Sequence, residues 1–135
     1  MLRQPSILLL CGGEAQTLSL RDVLSNHARV TSAADLLELK VLLENGCFDA
    51  VFCAWSFRLG NWRNALREVQ RLNPDLPVIV FSTTGGEREW VDVLDAGGFD
   101  LLTDPYRNNT VLPALEQARA SYDARLLKRI TEQSR

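Results

Sequence analysis

The 135-residue sequence contains one histidine, His27, and three cysteines, Cys11, Cys47 and Cys53, with no CxxC spacing among them. An odd, scattered set of cysteines argues against a disulfide framework or a zinc site, and no metal or other cofactor is expected. Cys11 and Cys53 sit in apolar runs, where a free thiol behaves as a small hydrophobe. No apolar run approaches the roughly 18 residues of a membrane span, so no membrane association is expected. Behind the opening MLRQPS there is only the short run Ile7–Leu10, too little for a secretory leader, and a cytoplasmic location is expected. Positive charge is not in excess: 15 Lys and Arg stand against 17 Asp and Glu, a net charge of -2. That removes the electrostatic case for nucleic acid, which needs a clustered basic face. The glycine motifs of nucleotide sites, G-x-G-x-x-G and G-x-x-x-x-G-K-[ST], are missing as well. What remains is 46% hydrophobic and 24% charged, the composition of an ordinary globular chain with one core.

Within that composition, strand signals recur. Ile7–Cys11, Ala50–Ala54 and Val78–Phe81 are continuous apolar runs, while Ala28–Thr31 and Phe99–Leu102 are weaker. Short, wholly apolar runs belong to strands buried on both faces, hence to a parallel sheet covered by helices. Helical patterns fall between them. Leu18, Leu20, Val23 and Leu24 make the first, and Leu36 to Leu43 the second, stopped at Gly46. Trp62, Ala65, Leu66, Val69 and Leu72 follow i, i+3, i+4, i+7 spacing and end at Asn73-Pro74, because a residue before proline avoids the α region. Trp90, Val91, Val93 and Leu94 make a fourth helix, closed by Gly97-Gly98. A fifth starts near Thr110, capped by Asn109 or Thr110, with Pro113 in its first turn. Five β-α units in a row predict an α/β, doubly wound parallel sheet with right-handed crossovers. The units are complete by about residue 120. Residues 121–135 extend the last helix, continuing a stripe of Leu115, Ala118, Tyr122, Leu126 and Ile130.

The segments ILLLCGG, DAVFCAWS, PDLPVIVFSTT and DAGGFDLLTDPY, with their spacing, resemble the receiver domain (CheY-like) of two-component response regulators. The resemblance covers about residues 5–120 and implies a flavodoxin-like (βα)5 fold with strand order 2-1-3-4-5. It also implies a phosphotransfer site at the carboxyl ends of the strands. There the family has an acid pair for Mg²⁺, a phosphoacceptor Asp, a Ser or Thr, and a Lys before proline. Magnesium takes hard oxygen ligands, and metal and Lys together offset charge on the transferred phosphoryl group. In this sequence Cys11 and Gly12 stand at the acid pair, Ala54 at the acceptor and Asp104 at the Lys. Ser82 alone keeps the family's residue type. Leu101 stands where the family often has an aromatic. The expectation is a degenerate receiver, or pseudo-receiver, without phosphotransfer or enzymatic activity. Glu14 as a displaced acid and Ser56 as a displaced acceptor do not restore a metal cluster between them. The resemblance also implies a cis Asp104-Pro105 bond.

Rival chemistry is weak. Gly12-Gly13 and Gly85-Gly86 precede helices and can be read as anion nests, but Glu14 and Glu87 follow them and repel anions. His27 falls at the end of the first helix, where the dipole favours it, so a capping or surface role is expected rather than a catalytic triad with Ser82. Trp55, Phe57, Arg58 and Trp62 cluster behind the third strand. They either plug the emptied site or form a contact surface. Trp90 has the same two readings. Arg125, Lys128, Arg129 and Arg135 read as a solvated helix face. The expected function is a signal-transduction module working by protein–protein interaction. Its partner would be a signalling protein or a histidine kinase-related one, with a homodimer formed through Tyr122, Leu126 and Ile130 of the last helix. The alternatives are a small-ligand site lined by Cys11, Gly12, Ser82 and Asp104, or an ordinary phosphorelay regulator.

Overall fold

The computed structural model describes residues 4–12 and 14–133. Its elements are β1 (Ser6–Leu10), α1 (Glu14–Ser25), β2 (Arg29–Ala33), α2 (Leu36–Asn45) and β3 (Ala50–Ala54), then β4 (Ser56–Phe57), β5 (Gly60–Asn61) and α3 (Trp62–Leu72). After these come β6 (Val78–Ser82), α4 (Glu87–Ala96), β7 (Asp100–Thr103) and α5 (Asn108–Gln133). Five strands form one parallel sheet in the order β2-β1-β3-β6-β7. This is the expected 2-1-3-4-5 order once the extra two-stranded ladder β4-β5 is set aside.

Strand alternation splits the core in two. Ile7, Leu9, Phe52, Ile79 and Phe81 face α1 and α5, with Leu20, Leu24, Val111, Leu115 and Ala118 packed on them. Leu8, Leu10, Val51, Cys53, Val78 and Val80 face α2, α3 and α4 through Leu39, Trp62, Leu66, Val69 and Val93. All five residues of β3 and all five of β6 are buried, as central strands covered on both faces should be.

The helix ends follow local chemistry. Asp35 caps α2 by accepting from the Glu38 N–H at 2.9 Å. Asn61 caps α3 in a reciprocal box with Asn64. Gly97, at φ 105, closes α4 in a left-handed conformation that costs glycine no Cβ clash.

Several boundaries differ from the sequence reading: β1 is Ser6–Leu10 rather than Ile7–Cys11, and β6 runs on to Ser82 rather than ending at Phe81. β2 runs from Arg29 to Ala33 rather than from Ala28 to Thr31, because its mixed composition gave no clear edge. β7 starts at Asp100, not Phe99. α5 starts at Asn108, with the Val111 N–H donating to the Arg107 carbonyl at 2.8 Å. Pro113 therefore lies beyond the first turn and leaves one carbonyl of the ladder without its usual donor. Leu18 and Leu37 also belong to outward faces rather than to the buried stripes. The helix continues without a break past residue 120 to Gln133, 26 residues in all.

Candidate functional site

The carboxyl ends of β1, β3, β6 and β7 bring Cys11, Gly12, Ala54, Ser82 and Asp104 to one edge of the sheet. Gly12 and Ala54 are pressed together. A Cβ on Gly12 would stand 2.5 Å from Ala54 Cβ and 2.8 Å from the Ser56 carbonyl oxygen, so the backbone takes the room of a side chain. The Gly12 N–H donates to Thr17 Oγ1 at 3.1 Å. The second glycine pair is engaged likewise: the Gly86 N–H donates to Glu89 Oε2 at 3.0 Å. That bond holds the Glu89 carboxyl below the usual carboxylate range. These two amides are therefore bound within the chain rather than presented to an anion. Gly13 and the side chain of Glu14 lie outside the described residues.

Ser82 is buried, and its Oγ accepts from the Thr84 N–H at 3.4 Å. Its carbonyl takes two donors, the Tyr106 hydroxyl at 3.0 Å and the Asp104 N–H at 3.2 Å. Asp104 is exposed and precedes the cis Asp104-Pro105 bond. An open groove of about 430 Å³ begins at Asp104 and is lined by Thr103, Pro105, Arg107, Asn109 and Thr110. It reaches none of Cys11, Gly12 or Ser82. His27 lies just beyond α1, its Nε2 3.0 Å from Asn108 Oδ1, so its ring is engaged by α5 and not by a serine.

The cysteines differ in access. Cys47 is exposed, Cys11 half-buried and Cys53 buried. Burial pushes the Cys11 and Cys53 thiols up, which lowers their thiolate fraction at neutral pH. With iodoacetamide at pH 7.5, peptide mass mapping should show Cys47 modified first, Cys11 later, and Cys53 only after denaturation. Early labelling of Cys53 in the folded chain would contradict this burial.

Behind β3 the chain forms a small hairpin. Trp55 N–H donates to the Phe81 carbonyl and Trp62 N–H to the Trp55 carbonyl, at 2.9 and 3.0 Å. The two indoles lie 5.5 Å apart at 44°, and Arg63 covers the Trp62 ring. Trp62 is 2% exposed and belongs to the core, so it packs rather than docks. Trp55 and Phe57 are half-buried against the same core, and Arg58 is exposed. Arg58 also makes a parallel bridge to Asp35. The hairpin tip, Leu59, escaped the sequence reading. It is 94% exposed and has φ 67 without being glycine.

The last helix is fastened at the other end of the sheet. Tyr122 packs against the core and its hydroxyl accepts from Asn73 Nδ2 at 3.1 Å. Arg125 donates to the Asp75 carbonyl at 3.4 Å, and Arg129 pairs with the Asp75 carboxylate. Leu126, Leu127 and Ile130 are exposed. The extension thus turns cations toward the domain and apolar side chains outward. Of the tail charges read as solvated, Arg125 and Arg129 are engaged, and Arg135 lies outside the described residues. Trp90 is exposed, with its indole N–H donating to Asp100 Oδ1 at 3.1 Å.

No protein-family model matches the sequence, and no curated protein is similar to it. Solved structures are. A CheY-like response regulator receiver domain protein from Methanospirillum hungatei superposes with a TM-score of 0.77 at 18% identity, covering 91% of this chain and 99% of its own. The receiver domain of a sensor histidine kinase from Pseudomonas aeruginosa, solved with a magnesium ion coordinated in the active site cleft, gives 0.76 at 20%, covering 87% and 99%. A structure described as adenylate cyclase from Rhodopirellula baltica gives 0.83 at 14%, covering 98% and 100%. At these identities the likeness is one of fold, and it agrees with the strand order: the chain has the flavodoxin-like α/β fold of the receiver domains of two-component systems.

Proposed function

We propose that this chain is a non-enzymatic signalling module that uses the receiver fold for protein–protein contact without aspartyl phosphorylation. The observation that carries the reading is the contact between Gly12 and Ala54 at the sheet edge. The magnesium ion of the Pseudomonas neighbour does not fit here. Cys11 offers a thiol with a raised pKa, Gly12 and Ala54 offer no side-chain oxygen, and a side chain at residue 12 would collide with Ala54. Magnesium needs several hard oxygens in near-octahedral array. Ala54 also has no nucleophile, and Asp104 adds negative charge where a phosphoryl group would need positive.

Contact surfaces are available instead. Leu126 and Ile130 of the expected stripe are exposed on α5 beside the Asp75 clamp, and with the neighbouring Leu127 they supply the contact surface of this reading. Self-association belongs to the same reading. A cytoplasmic location is part of it too; no helix among the described residues is long and apolar enough to cross a membrane.

Incubation with acetyl phosphate and Mg²⁺ should leave the intact mass unchanged. A phosphoryl adduct at any strand-end residue would overturn the proposal.

A further inference from the structure

The helix α2 carries apolar residues on two opposite sides, with Glu38, Lys40, Glu44 and Asn45 between them. Leu39 is buried, and Leu36, Leu42 and Leu43 pack partly on the core. Yet Leu37 is 70% exposed and Val41 49% exposed, on the side opposite Leu39. With Glu44 they form one row at i, i+4, i+7, the face by which helices pack on each other. Among the described residues nothing covers Leu37 and Val41.

Beside the first turn of this row stands the hairpin tip. The bridge between Arg58 and Asp35, the cap of α2, sets the hairpin tip at the N-terminal end of α2, with Leu59 one residue beyond the bridge. The tip is rigidly held. Gly60 is so close to the Phe57 ring and Asn64 that a Cβ there would meet them at 2.9 and 3.1 Å, and Asn61 is locked in the α3 cap. A non-glycine residue at φ 67 is strained, and Leu59 is almost wholly in water, so none of the described residues packs on it to offset that strain.

We infer that Leu37, Val41 and Leu59 form a self-complementary face that pairs with the same face of a second copy. Charge selects that occupant. Arg58 lies at the N-terminal end of α2. Glu44 lies at the C-terminal end, where no basic residue offsets the negative pole of the helix. A two-fold axis crossing α2 near Leu39 sets the helices antiparallel, as an isologous contact requires. Leu37 then faces the second copy's Val41, each Leu59 lies toward the second copy's C-terminal turn, and each Arg58 meets the second copy's Glu44. The pairing satisfies both charges twice and closes on itself. The row spans only about 10 Å of helix, so the dimer is a weak, reversible one. It makes no use of Leu126 and Leu127, which are exposed on α5. The inference rests on the reading that the chain works by contact and self-associates, and it moves the self-association from the last helix to α2. An acetyl phosphate adduct would refute the absence of phosphorylation in that reading and leave the dimer standing.

The test is light scattering on the full chain at rising concentration. The wild type should move toward the dimer mass. Arg58→Glu and Glu44→Arg should each weaken dimerisation roughly tenfold, and the double swap should restore it. Leu59→Asn should weaken the dimer without lowering the thermal midpoint, because asparagine accepts the left-handed conformation better than leucine. The pair Leu126→Asn and Ile130→Asn should leave the dimer intact. A wild type that stays monomeric at the highest concentration, or a double swap that does not restore the dimer, overturns the inference. So does a dimer lost through the α5 variants alone.

Discussion

Replacing Gly12 by alanine should cost about 2–3 kcal/mol of stability, and Gly12→Asp more, because neither side chain has anywhere to go. The Cβ would meet Ala54 Cβ at 2.5 Å and the Ser56 carbonyl at 2.8 Å, and the second neighbour is backbone that moves only with the whole hairpin. Urea unfolding gives the loss directly, and the thermal midpoint should fall by roughly 10 °C. The double variant Gly12→Ala with Ala54→Gly should recover part of it, since it removes one of the two colliding atoms. Full tolerance of Gly12→Asp would mean that the edge can reopen to hold a carboxylate. The proposal that this edge has lost its metal chemistry would then weaken.

The second large effect concerns Trp62. Truncation to alanine should destabilise the chain by about 3–5 kcal/mol, the range for a buried aromatic. It removes a core side chain, the ring stacked near Trp55 and the seat of the Arg63 guanidinium. Arg58→Ala, one turn of hairpin away, should change stability by no more than about 0.5 kcal/mol, because the side chain is exposed. The contrast separates two roles within one loop. A Trp62→Ala variant as stable as the wild type would return that residue to the set of docking candidates.

Sequence alone revealed those elements whose periodicity is strong. Ala50–Ala54 and Trp62–Leu72 match their apolar run and their i, i+3, i+4, i+7 row residue for residue. Where composition is mixed, as at Arg29–Ala33, the boundary slipped, since sheet pairing rather than local preference decides it. Asn108, Asn109 and Thr110 are all cap formers, so the start of α5 was set by packing. The strand-end residues were found by resemblance, but their crowding was not, because the fit of Gly12 against Ala54 is a long-range contact. The hairpin lay below any pattern. Two-residue strands show no alternation, and its tip carries leucine where a turn usually signals itself with asparagine or glycine. In α2 the apolar residues Leu37 and Val41 lie opposite the buried Leu39, a split that the run Leu36–Leu43 did not reveal because Glu38 and Lys40 interrupt it.

The length of α5 has a mechanical side. Its last dozen residues project as a stiff arm past the point where Tyr122 and Asn73 meet. Over the roughly 15 Å from that fulcrum to Glu132, a tilt of about 8° would carry the end some 2 Å. Asp75, gripping Arg125 and Arg129 along that arm, acts as its stop. Any ligand or partner that takes hold of the 73–75 turn would thereby gain leverage over whatever rides on the far end of the helix.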